Sequence, residues 1–122
     1  MNRHSTVQQI APMLPSSDVC RTAAFLTKAL GFKSVMVNPV SGYDVLAKDG
    51  REVHIVDSGG ETPNELSVYL NTSDLNALWN DFSSFKDEVL SLREPFEQPY
   101  GMKEFHLVLP FTNALFMIGA EI

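Results

Sequence analysis

The chain has 122 residues, of which 44% are hydrophobic, 20% charged and 10% aromatic; this suits one ordinary domain, or two small halves sharing a core, and fits neither a disordered nor a fibrous protein. Nine Lys and Arg against fifteen Asp and Glu leave a net charge of −6, so nucleic acid is not an expected partner, while a cationic small molecule is mildly favoured. No apolar run approaches the roughly 20 residues that cross a bilayer, and MNRHSTVQQIAP lacks an apolar signal core, so no membrane partner is expected and the cytoplasm is the expected location.

The first extended candidate is Val7 to Leu14, ended by Pro15. Ser17-Asp18 then offers an N-cap to a helix over VCRTAAFLTKAL that Gly31 ends; Thr22, Phe25, Leu26, Ala29 and Leu30 recur at helical spacing on one face. Cys20 lies in this amphipathic segment and reads as packing rather than as a nucleophile; as the single cysteine it excludes an internal disulfide, a CxxC pair and a multi-cysteine zinc site. Phe32 to Asn38, Tyr43 to Lys48 and Arg51 to Asp57 are short β candidates, the last two joined by the hairpin signal Asp49-Gly50.

Ser58 to Asn64 is rich in turn formers and reads as a linker. After it the order repeats: Leu66 to Leu70 is extended, Ser73-Asp74 caps a helix carrying Leu75, Leu78, Phe82 and Phe85 on one face, and strands are expected near 88–93, 102–109 and 113–119. Both halves read β-α-β-β-β, with a boundary near residue 60 separating modules 1–60 and 61–122. Leu14 to Val19 aligns with Leu70 to Leu75 at a spacing of 56, and Tyr43 to Ala47 with Phe105 to Leu109 at 62, which pairs His54 with Phe116.

The order and spacing of Leu14-Pro15-Ser16-Ser17-Asp18-Val19, Thr22-Ala23-Ala24-Phe25-Leu26, Leu30-Gly31-Phe32, Tyr43-Asp44-Val45-Leu46, Asp49-Gly50-Arg51-Glu52-Val53-His54 and Gln98 to Leu107 resemble the vicinal oxygen chelate superfamily, on its branch of bleomycin resistance and glyoxalase-like proteins. The resemblance spans nearly the whole chain. It implies an α+β fold of two paired βαβββ modules whose strands curl into a cleft, and a homodimer with two clefts. One departure is the last turn, Leu109-Pro110-Phe111-Thr112-Asn113, where the family shows Asp-Pro-x-Gly-Asn; a turn is still expected there, on the punctuation of Pro110 and Asn113.

Metal-dependent members of the superfamily place His, Gln or Glu at four strand positions, which map here to Ala11, His54, Ser67 and Phe116. Ala11 and Phe116 offer no donor, and one imidazole cannot fix a catalytic metal that needs about three protein ligands. No metal and no cofactor are therefore expected. With these four positions in the cleft, the alternate residues Ile10, Pro12, Leu14, Val53, Ile55, Leu66, Val68, Leu70, Leu115 and Met117 would face the helices, and all are apolar. The cleft would carry Gln9, Ala11, Met13, Glu52, His54, Val56, Glu65, Ser67, Tyr69, Ala114, Phe116 and Ile118, with Tyr69, Phe116, Tyr100 and Met102 as an aromatic and thioether wall.

His54 could donate to or accept from a ligand, or be a strand histidine bonded to a neighbour; His106 reads as structural or exposed, Trp79 as packing, and His4 falls in a terminal segment. No Gly-x-Ser-x-Gly, P-loop or dinucleotide fingerprint is present. Three functions remain: a metal-free protein that sequesters a small drug-like molecule, with a bleomycin-type cationic glycopeptide as the named candidate; a metal-dependent lyase or dioxygenase whose ligands are placed wrongly above; and a scaffold whose cleft is filled by side chains.

Overall fold

The structure is a computed structural model, and it describes residues 5–36, 42–61 and 63–122. His4 and the last two residues, 37 and 38, of the expected Phe32 to Asn38 strand lie outside the described residues. Eleven elements follow in order: β1 (Met13–Ser16), α1 (Val19–Leu30), β2 (Lys33–Ser34), β3 (Tyr43–Lys48), β4 (Arg51–Asp57), β5 (Leu66–Asn71), α2 (Leu75–Ser83), a short 3-10 turn (Lys86–Glu88), β6 (Ser91–Gln98), β7 (Met102–Val108) and β8 (Ala114–Glu121). They build two four-stranded mixed sheets, β1-β4-β3-β2 and β5-β8-β7-β6, each with one parallel pair, β1 on β4 and β5 on β8. The architecture is α+β and no barrel closes.

Both helices start where the capping residues place them. The Asp18 carboxylate accepts from the Arg21 amide at 3.1 Å, and Asp74 does the same for Ala77 at 3.0 Å, satisfying donors that the first turn leaves free. Gly31 ends α1 in the left-handed conformation, φ 78°, which costs glycine nothing. Pro15, which reads as a strand end, is instead absorbed, and so is Pro95. Pro15 sits inside β1 and Pro95 inside β6, both edge strands, and the β6–β7 register shifts between Arg93 and Phe96; at an edge or a bulge the missing N–H breaks no ladder. Thus β6 extends to Gln98. The first strand, by contrast, is shorter and later than Val7 to Leu14: residues 5–12 carry no regular structure, and Ile10, expected against the helices, is 91% exposed.

One core joins the two halves. Leu14, Leu46, Val53 and Ile55 of the first sheet and Phe105, Leu107, Phe116 and Ile118 of the second belong to a single buried cluster with Phe25, Leu26 and Phe82 of the helices. Phe82 stacks on Phe105 at 5.6 Å and meets Phe25 of α1 edge-on at 6.4 Å, and Trp79 packs edge-on against Phe105 at 5.1 Å. Cys20, expected to pack, is exposed.

The turn from β7 to β8 forms without its glycine. The left-handed residue is Phe111, φ 63°, rather than Thr112 at the glycine position. Thr112 donates its hydroxyl to the Leu109 carbonyl at 2.9 Å and accepts from the Ala114 amide at 3.1 Å. Phe111 is held by the first half: its carbonyl accepts from the Ser17 amide at 2.9 Å, and the Arg21 guanidinium lies 5.5 Å from its ring centre.

This turn also corrects the internal register. Leu14 sits beside Ile55 as Leu70 sits beside Ile118, and Leu46 opposes Val53 as Leu107 opposes Phe116. Equivalent residues are therefore 56 apart on β1 and β5, 61 apart on β3 and β7, and 63 apart on β4 and β8. A uniform spacing of 62 fails because six residues, 109–114, separate Val108 from Leu115 where four, 48–51, separate Ala47 from Glu52. The counterpart of His54 is Met117. Phe116, Ala114 and Ile118 lie in the core, at 0%, 1% and 0% exposure, and Leu115 and Met117, expected against the helices, take the outer face instead.

Candidate ligand-binding face

Alternation along β7 and β8 sorts their side chains. Phe105 and Leu107 point to the helices, while Glu104 and His106 stand on the outer face opposite Gly119 and Met117. Tyr69 of the edge strand β5 reaches the same face. Around Glu104 four side chains converge: the hydroxyls of Tyr69 and Tyr100 donate to Oε2 at 2.8 and 2.6 Å, and Nε2 of Gln98 and of His106 bond Oε1 at 3.1 and 2.8 Å.

The glycine at 119 makes this possible. A Cβ there would collide with the Tyr69 hydroxyl and lie 2.9 Å from Glu104 Cγ, so the phenol crosses β8 only where no side chain stands. Glu104 itself is buried, at 0% exposure, whereas Tyr69 and Tyr100 are 45% and 60% exposed. Burial alone would raise the Glu104 carboxyl, but the bonds from Tyr100, His106, Tyr69 and Gln98 outweigh it and hold the pKa down at about 2. Desolvation and the bond to Glu104 push the Tyr69 phenol up to about 12. For Tyr100 the hydrogen bond to Glu104 is the larger cause of an upward shift, with desolvation second. Beside the cluster Phe96 meets His106 edge-on at 5.0 Å, and the Arg93 guanidinium lies 3.4 Å from the centre of the Phe96 ring.

The outer face of the first sheet carries a smaller polar chain. His54 bonds Tyr43 through Nδ1 at 2.5 Å and Glu52 through Nε2 at 3.2 Å, so both ring nitrogens have protein partners. A separate groove of about 710 Å³ runs between the halves, bordered by Phe32, Arg51, Val53, Leu70 and Leu78.

The residues singled out from sequence do not meet in one place within a chain. Met13, Glu52 and His54 stand on the first sheet, with Met13 beside His54; Ser67, Tyr69 and Met102 stand on the second, with Tyr100 at the β6–β7 turn. Glu52, Tyr69 and Phe116 also border the groove. Gln9 and Ala11 lie in the irregular leading segment, and Glu65 is exposed just before β5. Phe116 is the correction: it is a core residue, and Met117 takes its place on the outer face. Glu104, Gln98 and Tyr43 were not picked out, and His106 was set aside as structural. The signal for Glu104 and His106 lies in Met102 to Val108, a strand in which a glutamate and a histidine two apart interrupt apolar residues.

A resident metal of the kind implied for enzymes of this fold does not fit these residues. The four mapped positions now carry Ala11, His54, Ser67 and Met117, that is a methyl group, an imidazole shared by Tyr43 and Glu52, a hydroxyl and a thioether. Among the described residues no three His, Cys, Asp or Glu side chains are grouped to hold a metal ion, and no helix is long and apolar enough to cross a membrane.

No family model and no curated protein matches the chain. Solved structures do. A bleomycin resistance determinant encoded on the transposon Tn5 superposes with a TM-score of 0.80 at 26% identity, covering 94% of this chain and 98% of its own. A bleomycin-binding protein complexed with bleomycin gives 0.79 at 26% identity, covering 95% and 100%. A glyoxalase/bleomycin resistance protein/dioxygenase from Nocardioides gives 0.71 at 14% identity, over 98% and 87% of the two chains.

Proposed function

We propose that this chain, whose structure is similar to bleomycin resistance proteins at 26% identity, belongs to the vicinal oxygen chelate superfamily on its bleomycin-resistance-like branch, and that it binds and sequesters a small drug-like molecule without a metal. The observation that carries this reading is the outer face of the second sheet, where an ionised carboxylate lies beneath two half-open phenols with an imidazole and an amide at its side. Such a surface combines stacking area with fixed polar groups, as small-molecule sites do. A bleomycin-type cationic glycopeptide is the named candidate, supported by the net charge of −6 and by the similarity to a protein solved with bleomycin bound.

The working unit in this reading is a homodimer in the cytoplasm. The inner faces of both sheets look toward the shared helical core, so their outer faces look away from each other and cannot close over one ligand within a chain. Two copies supply two clefts. Each is lined by Gln9, Ala11, Met13, Glu52 and His54 of one module (1–60) and by Glu65, Ser67, Tyr69, Tyr100, Met102 and Met117 of the other (61–122). Exposed Val7, Ile10 and Met13 supply apolar surface for the pairing. The lyase or dioxygenase reading has the donor set at Ala11, His54, Ser67 and Met117 against it.

Calorimetric titration of purified, metal-analysed protein with bleomycin tests the proposal, with sedimentation to establish the copy number. Saturable binding that weakens in Tyr69→Ala and His54→Ala is the expected result. Absence of heat, or binding that requires a stoichiometric divalent metal, would overturn it.

A further inference from the structure

We infer that Glu104 sets the hydrogen-bond polarity of the ligand-binding face, holding its neighbours' hydrogens inward so that the face accepts from flat donor-bearing cations of the amidinium or guanidinium class and turns carboxylates away. The inference rests on the reading of this face as the ligand site.

A carboxylate accepts and never donates, and its two oxygens offer about four lone-pair sites. Here all are used: Gln98 and His106 at Oε1, Tyr69 and Tyr100 at Oε2. Glu104 is fully buried beneath them, so it does not touch a ligand, and its effect passes through the groups it orients. A phenol has a single hydrogen. With that hydrogen spent on Glu104, Tyr69 and Tyr100 present oxygen lone pairs and ring faces to the outside. His106 is bonded to the carboxylate through Nε2, and Gln98, donating one amide hydrogen to it, presents its carbonyl oxygen.

The two phenol oxygens thus offer acceptance alone, with a full negative charge behind them. A planar cation can lie on the phenol rings while its N–H groups meet those oxygens. A carboxylate of the same shape would meet lone pairs and the field of Glu104. The arrangement persists over a wide pH range, since the carboxyl ionises at about 2 and the Tyr69 phenol holds its proton up to about 12. Gly119 keeps the Tyr69 hydroxyl on its path to Glu104.

The test uses two probes of matched shape and opposite polarity, benzamidine and benzoate, titrated into the full chain by calorimetry beside bleomycin. Wild type is expected to bind benzamidine at least about tenfold more tightly than benzoate, the factor that one charge-assisted hydrogen bond supplies. Glu104→Gln places an amide NH2 where only acceptors stood, forcing a neighbouring hydrogen outward, and the preference is expected to collapse to within about threefold. Tyr69→Phe keeps the ring and removes one acceptor, and provides the same readout should Glu104→Gln fold poorly. A selectivity ratio is not moved by a purely structural role.

Equal binding of the two probes to wild type, preference for benzoate, or a ratio unchanged in both variants would overturn the inference. Bleomycin binding with neither probe bound also overturns it while the sequestration reading stands. Probe selectivity that collapses in the variants, without any bleomycin binding, supports the inference and removes bleomycin as the ligand.

Discussion

Replacing Gly119 with alanine puts one methyl group where the Tyr69 hydroxyl crosses β8, and the cost can be worked from the contacts. The new Cβ would collide with that hydroxyl and lie 2.9 Å from Glu104 Cγ, so Tyr69 must swing outward and its 2.8 Å bond to Glu104 is lost. A hydrogen bond to a charged group contributes about 1.5–3 kcal/mol. Tyr69 is 45% exposed, so the freed hydroxyl finds water and the low end applies. Alanine also restricts the unfolded chain, which returns roughly 0.4–1 kcal/mol. The expected net destabilisation is about 1 kcal/mol, read in urea as a midpoint lowered by about 0.5–1 M for a slope of roughly 1–2 kcal/mol/M. The decisive measurement is the cycle with Tyr69→Phe, which removes the colliding oxygen. In that background Gly119→Ala should cost less than half as much. Equal costs in the two backgrounds would refute the claim that Gly119 exists to let this phenol pass.

Phe116→Ala is expected to lose about 3–5 kcal/mol by opening the core, while Met117→Ala, one residue along and half-buried on the outer face, should cost under about 1 kcal/mol and weaken ligand binding. The reverse pattern in thermal melts and titrations would restore the spacing of 62. Glu104 has a folded pKa of about 2, below its ordinary value of 4.5, so its contribution to stability is complete above pH 4.5 and is lost as pH falls toward 2. Melting temperature against pH should therefore drop through that window in wild type and less steeply in Glu104→Gln; parallel curves would refute it. The Tyr69 phenol, raised from 10 to about 12, favours the folded state below pH 10, an advantage lost as pH climbs through 12. Absorbance of tyrosinate should show a late-titrating step that disappears in Tyr69→Phe and returns to the ordinary range on unfolding.

Most of the fold could be read from the chain because local signals agreed with one another. Asp18 and Asp74 cap helices whose apolar faces are unambiguous, and Asp49-Gly50 marks its hairpin. Where reading failed, competing physics was hidden in tertiary position. Pro15 looks like a terminator unless its strand is known to be an edge. Val7 and Ile10 look like strand residues but stand 72% and 91% exposed, so no burial holds them in a sheet. In β8 the run Ala114-Leu115-Phe116-Met117-Ile118 is apolar on both faces, so no pattern could choose between parities, and a turn longer by two residues moved Phe116 inward. The site was half legible for a related reason. Tyr69 and Tyr100 stand out as exposed-surface aromatics, whereas a glutamate within a β-strand reads as solvated until the four donors around it are seen.

The alternation along β7 and β8 has a consequence for how such a protein can change. Phe105, Leu107, Phe116 and Ile118 hold the halves together from one side of the strands, while Glu104, His106, Met117 and Gly119 stand on the other, the face proposed to meet the ligand. On the proposed function, a substitution at Met117 alters which molecule is held and leaves the core packing nearly untouched, whereas Glu104, fully buried, and Gly119, where any side chain collides with Tyr69, tie recognition to stability. Ligand preference can then drift at Met117 while the carboxylate and the glycine beneath it stay fixed.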